Sequence, residues 1–217
     1  MSDPHKGAKL SKRTSRIKLA EGDLWDWYEK GHRVVVTTNI GWHPETARNN
    51  MGAGMALQAA LRFPGLRRAQ AARGEQALEA ELVVGPEADG LDVWYGSICE
   101  QLGEETPVVA FPLEPRIILF PVKPLLYADN PERSWDQKGS YSLIMRSLLQ
   151  LRSYEGKIAL SYPGCGNGGL DEAKMGRLVE NILGQDPDPE RFTLVRFKSA
   201  HEATPGESLF RRWSSPV

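Results

Sequence analysis

Two glycine-rich stretches carry the residues best suited to chemistry. "MGAGMA" (51–56) follows the β-branched run "HRVVVTTN" (32–39) across a polar loop, and "GCGNGGLD" (164–171) follows "KIALSY" (157–162). Each then passes into an apolar pattern of helical spacing. Glycines at such a junction let backbone N–H groups approach a ligand, and the helix start adds the positive end of its dipole. The occupant this favours is an anion, a phosphate or diphosphate. A single loop of this kind can be a tight turn and nothing more. Two of them on successive parallel strands could grip a diphosphate from both sides.

Three side chains near these loops have a plain reading and a chemical one. Lys123, in "FPVKP", is a surface charge on a proline-fixed turn, or a poised amine. Asp171, at a helix start, caps backbone amides and complements the dipole. Cys165 could be activated by the helix start, but no histidine has an evident pairing role, so it reads as a small loop residue. His43 reads as a solvated loop histidine. Trp25, Trp27 and Trp42 could stack on a base, although core packing explains tryptophans more often. Known phosphate signatures do not fit. G-x-x-x-x-G-K-[ST] is absent, and the G-x-G-x-x-G-like run has no acid about 20 residues on, which disfavours ATPases, kinases and dehydrogenases.

The elements that must position these residues follow from periodicity. "RIKLA" (16–20) predicts a strand and "EGDLWDWYEKG" a short helix or turn. Residues 32–39 predict a strand buried on both faces. A helix starts at the glycines of 51–56 and stops at Pro64, and a second helical stretch is interrupted near Gly74. "VWYGSICE" (93–100) and "RIILFPVK" (116–123) are strands, the latter ending at Pro121 with Lys123 just beyond. Leu143, Ile144, Leu148 and Leu151 mark one helix; Met175, Leu178, Val179 and Ile182 mark another, stopped by Gly184. "RFTLVRF" closes as a strand. Strands alternating with helices predict an α/β sandwich with a mixed, mostly parallel sheet.

Composition narrows the class. The 217 residues suit one medium-sized domain, and a net charge of −1 argues against a polycation searching for nucleic acid. The exception is a basic arm with Lys6, Lys9, Lys12, Arg13, Arg16 and Lys18, of which residues 1–14 are expected to be disordered. Two cysteines, Cys99 and Cys165, make no disulfide framework or metal-ligand spacing. No apolar stretch approaches the ~20 residues of a membrane span. A cytoplasmic, monomeric protein with no metal or cofactor is the expectation, with one domain over 15–200 and a polar tail over 201–217.

"GDL" (22–24), "TTN" (37–39), "MGAGMAL" (51–57), "ILFPVK" (118–123) and "GCGNGGLD" (164–171) stand in the order of a macro domain. Over roughly residues 15 to 200 the chain resembles the DarG-like and terminal ADP-ribose glycohydrolase-like branch of that family. The resemblance implies a three-layer α-β-α sandwich with an ADP-ribose pocket at the carboxyl ends of the central strands. It implies that Asp23, beside Leu24, accepts from the adenine amino group, and that Asn39, after Thr38, touches the distal ribose. Met51, Gly52, Ala53, Gly54, Met55 and Ala56 would enclose the ligand from one side. Gly164, Cys165, Gly166, Asn167, Gly168, Gly169 and Leu170 would enclose it from the other.

The same resemblance implies a hydrolase, with Lys123 acting at the anomeric carbon of the distal ribose and Asp171 as general acid/base. A lysine can do this when burial lowers its pKa and supplies free amine, and cleaving a glycosidic bond needs help for the leaving group or water. The acceptor would be a DNA base or a protein carboxylate, with free ADP-ribose as ligand or product. An ADP-ribose reader without chemistry, and a hydrolase of O-acetyl-ADP-ribose or ADP-ribose 1″-phosphate, are the alternatives. The stretch between Asn39 and Met51 is longer than the family pattern, which implies a reshaped exit from the pocket.

Overall fold

Valines at 34, 35 and 36 and the apolar run 117–120 make the two strands around which the chain is built. The computed structural model describes residues 17–79, 108–125 and 130–197. The strands are β1 (Lys18–Glu21), β2 (Arg33–Asn39), β3 (Val109–Phe111), β4 (Glu114–Lys123), β5 (Ile158–Leu160) and β6 (Phe192–Arg196). They form one sheet in the order β1-β6-β5-β2-β4-β3. Every neighbouring pair is parallel except β3 with β4. The mixed, mostly parallel sheet expected from the sequence is therefore present.

Successive side chains on a strand point to opposite faces, and here both faces are covered. Val35, Ile118, Phe120, Ile158, Leu160, Phe192 and Leu194 face α4 (Tyr141–Leu151) and α5 (Glu172–Leu183). Val34, Val36, Ile117, Leu119, Ala159 and Val195 face α1 (Leu24–Glu29), α2 (Gly54–Arg62) and α3 (Leu66–Glu79). The result is a three-layer α-β-α sandwich with a core on each face of the sheet. The continuous apolar reading of β2 is what burial on both faces requires.

Two local expectations change. α3 runs unbroken through Gly74, because an interior glycine costs a helix only about 1 kcal/mol and does not end it. β4 runs past Pro121 to Lys123. The antiparallel partner β3 reaches only Leu119 along β4, and the β2 pairing shifts register just after Thr38↔Pro121. The strand thus has an open side and an irregularity where the missing N–H is tolerated. α2 begins at Gly54, among the glycines as expected. The strand expected at 93–100, Cys99, the arm 1–14 and the tail 201–217 lie outside the described residues.

Candidate functional site

The carboxyl ends of five parallel strands open on one edge of the sheet, where ligands of such folds collect. A cavity of about 1090 Å³ sits there. Its walls come from the ends of β2, β4 and β6, from both glycine loops and from the starts of α1, α2 and α5. The short 3-10 turn Pro131–Asp136 adds Trp135 and Asp136.

The first glycine loop presents unspent amides. The first helical hydrogen bond of α2 runs from Leu57 N–H to the Ala53 carbonyl at 3.1 Å. The amides of Gly54, Met55 and Ala56 lie ahead of it, and Ala53 supplies no side-chain cap. The second loop is folded by its own bonds, Gly169 N–H to Gly166 O at 2.9 Å and Leu170 N–H to Gly164 O at 3.1 Å. That leaves the amides of Gly166, Asn167 and Gly168 without a hydrogen bond among the described residues. A Cβ on Gly168 would lie 2.4 Å from the Gly164 carbonyl oxygen, so the fold of this loop requires glycine there. Both sets of amides line the one cavity. Such donors hold anionic oxygens without a side-chain charge.

The sheet order separates the two ends of the cavity. Asp23, Leu24 and Phe197 stand at the β1/β6 end, and Lys123, Trp135 and Asp136 at the β4 end. From β6 to β4 is three interstrand steps, about 14 Å. Asp23 caps α1, its Oδ1 accepting from Trp25 N–H at 3.0 Å, and is partly buried. Thr38 is buried with a hydroxyl that has no partner, an orphan in the cavity wall that a ligand can satisfy.

Asn39 lines the cavity, but its side chain is already employed. Its Nδ2 donates to the Asn50 carbonyl at 2.9 Å, and its Oδ1 accepts from Gly41 N–H and Asn49 Nδ2. Asn49, itself buried, also donates to the carbonyls of Asn39 and Gly41, and Gln70 donates to the Asn39 carbonyl. This network pins the 40–50 segment to the end of β2.

Lys123 is the reactive group that stands out. Its Nζ donates to the Trp135 carbonyl at 2.5 Å. Burial holds the amine below the usual lysine range, while the Asp136 carboxylate pulls it partly back up. The lowered value increases the share of free amine, the nucleophilic form. Cys165 is the reverse case: burial first, then the Glu172 and Asp171 carboxylates, push its thiol up to about 12. It is an inert wall residue at neutral pH.

Of the residues expected in the site, those from Asp23 through Gly168, Lys123 included, line the cavity. Gly169, Leu170 and Asp171 lie outside the lining. Leu170 packs on the α4/α5 core. Asp171 is exposed and caps α5, Oδ1 accepting from Lys174 N–H at 2.7 Å. Next to it Glu172 does line the cavity and is paired with Arg196 at 2.5 Å. His43 pairs with Glu132 at 3.2 Å. Trp25 and Trp42 are core residues, and Trp27 packs edge-on against His32. The aromatic side chains that do line the cavity, Trp135, Tyr162 and Phe197, went unnoticed in the sequence because they fall in turns or at element ends. Among the described residues no cluster of three His, Cys, Asp or Glu could hold a metal.

No protein-family model matches the chain, and no curated protein does. Solved structures do. The macrodomain of Mycobacterium tuberculosis DarG superposes with a TM-score of 0.50 at 21% identity, over 85% of this chain and 98% of that one. The chain has the macrodomain fold. The macrodomain of Thermus aquaticus DarG gives 0.49 at 22% identity, over 84% and 98%. Thermosipho africanus DarTG in complex with ADP-ribose gives 0.48 at 19% identity, over 86% of this chain and 42% of that one. The macrodomain sheet of this chain carries its cavity at the carboxyl edge, with both amide-bearing loops among its lining. Among the described residues no helix is long and apolar enough to cross a membrane.

Proposed function

We propose that this macrodomain binds ADP-ribose and hydrolyses its bond to an acceptor. The observation that carries the reading is that two sets of unspent amides, from 54–56 and 166–168, belong to residues lining one cavity. A diphosphate carries about two negative charges and is solvated well by such donors. The motif resemblance names the ligand around that diphosphate. The acid Asp23 at one end suits an exocyclic amine, and so favours adenine over guanine, which carries an acceptor at that place. The partly desolvated amine of Lys123 suits the far end, where the anomeric carbon of the distal ribose would lie.

In this reading the free Lys123 amine attacks the anomeric carbon. The bond to the acceptor breaks, and its electron pair leaves with the acceptor, which takes a proton from Asp171. Water then displaces the lysine as Asp171 accepts a proton, releasing ADP-ribose. The acceptor is a DNA base or a protein carboxylate. Lys123→Ala tests the chemistry: release should fall by at least ~100-fold while ADP-ribose binding persists. Unchanged release removes the lysine mechanism.

A second reading, an ADP-ribose reader without chemistry, is favoured by the employment of Asp171 as a helix cap outside the cavity lining. It predicts calorimetric binding with no release from modified DNA or modified protein.

A further inference from the structure

Arg196, the last residue of β6, and Glu172, the first of α5, both line the cavity and hold each other's side chains. Arg196 Nε and one terminal guanidinium nitrogen both reach Glu172 Oε1, at 2.7 and 2.5 Å. The guanidinium also lies over the Tyr162 ring, 5.6 Å from its centroid, close enough for the ring to attract a cation. Tyr162 is itself seated. Its ring packs on the α4/α5 core, and a Cβ on Gly176 would come within 3.3 Å of its Cε1. The place of the guanidinium is thus set by contacts of its own atoms. The two side chains remain 59% and 45% exposed, and an exposed ion pair adds little to stability. The pair leaves one strong acceptor unused: Glu172 Oε2 has no hydrogen bond among the described residues.

The pair joins two parts of the wall. Gly22 N–H donates to the Arg196 carbonyl at 3.0 Å, which brings the end of β6 beside Asp23. Glu172 follows directly on the second glycine loop. In the ADP-ribose reading, adenine lies at Asp23 and the diphosphate at the amides of 166–168. The ribose that connects them then lies along the stretch of wall that Arg196 and Glu172 make.

We propose that Glu172 is the specificity determinant for the adenosine ribose: its unused oxygen accepts from the 2′-hydroxyl, and its charge excludes a 2′-phosphate. The inference rests on the ADP-ribose reading above and deepens it. The substrate class becomes ADP-ribosyl groups that carry no phosphate on the adenosine ribose. In dinucleotide sites an acid takes the 2′-hydroxyl, whereas an arginine accommodates the 2′-phosphate. Here the arginine is engaged by the acid. A 2′-phosphate would have to win the guanidinium from Glu172 and would then leave two like charges side by side. Asp23, a further carboxylate in this part of the lining, adds to the repulsion. Arg196 acts through Glu172, holding its carboxylate and offsetting part of its charge, and is the positioning residue.

The test is calorimetric titration of wild type, Glu172→Gln and Arg196→Gln with three ligands: ADP-ribose, its adenosine 2′-deoxy analogue and its adenosine 2′-phosphate. Circular dichroism checks folding. Wild type should bind ADP-ribose about tenfold or more tighter than the 2′-phosphate, and about threefold or more tighter than the deoxy analogue. Glu172→Gln, which keeps the shape and drops the charge, should bring the 2′-phosphate to within about threefold of ADP-ribose. Arg196→Gln removes the offsetting cation and should widen the wild-type gap by about threefold or more. Equal wild-type affinity for ADP-ribose and the 2′-phosphate, no loss with the deoxy analogue, or an unchanged gap in folded Glu172→Gln overturns the assignment. A gap that stays or narrows in Arg196→Gln overturns the positioning role. A wild type that binds no ADP-ribose overturns the underlying reading instead, before any variant is compared.

Discussion

Lys123 Nζ donates to the backbone carbonyl of Trp135 at 2.5 Å, joining the end of β4 to the turn that walls the same side of the cavity. The bond fixes where the amine points without neutralising it. Burial then lowers its pKa, and Asp136, the next residue on the turn, is the carboxylate that opposes the shift.

The sign of the pH dependence follows. Below its pKa the lysine is an ammonium and cannot attack, so kcat/KM should climb with pH and level off once the amine is free. Asp136→Asn removes the influence that raises the lysine pKa, so the rising limb should move to lower pH. A pH–rate profile of the two proteins checks this, and a limb that moves upward would refute the pairing.

Asp171 holds a cap that asparagine can also hold. Asp171→Asn should therefore keep the thermal midpoint close to wild type while lowering kcat by about 100-fold, the loss of an acid/base group. Asp171→Ala should lose the cap as well, at a further cost of about 1 kcal/mol in stability. Full turnover by the asparagine variant would make the residue a cap alone.

The Cys165 thiol, pushed up to about 12, is almost wholly protonated at pH 8. Alkylation of folded protein by iodoacetamide should be slower than that of a free thiol by on the order of 100-fold or more, and Cys165→Ala should leave turnover nearly unchanged. Fast alkylation, read by intact-protein mass spectrometry, would contradict the raised thiol pKa.

Much of this site could be read from the chain. The run Val34, Val35, Val36 and the stripe Met175, Leu178, Val179, Ile182 show their burial in the pattern alone, and they fix the strand that precedes the first loop and the helix that follows the second. The loops announced themselves by glycine content. Trp135 did not. Its turn has no periodicity, and its position depends on the bond from Ser134 to the Pro124 carbonyl and on the close approach of Gly41, which lies far away in sequence. Asn39 was legible as a strand-end residue, but its engagement with Asn49, Asn50 and Gly41 arises only once the 40–50 segment folds back. Pro121 and Gly74 misled for one reason: each marks a local penalty that tertiary pairing or helix continuity outweighs.

Gly168 is a steric test of the second loop. Gly168→Ala would place a methyl 2.4 Å from the Gly164 carbonyl, so the loop must open. Stability should fall by about 1–3 kcal/mol, and ADP-ribose affinity should fall more than affinity for AMP, which lacks the diphosphate. Urea denaturation and calorimetry on the same preparation read both. An alanine variant that binds ADP-ribose as wild type does would remove the loop from the clamp.

The most direct test of the account is calorimetric titration of wild-type protein with ADP-ribose, with AMP and NAD as comparisons. Amides converging on a diphosphate from both loops predict micromolar ADP-ribose binding, at least tenfold tighter than AMP, and no tighter binding of NAD. Absence of binding, equal affinity for AMP, or much tighter NAD binding would contradict it.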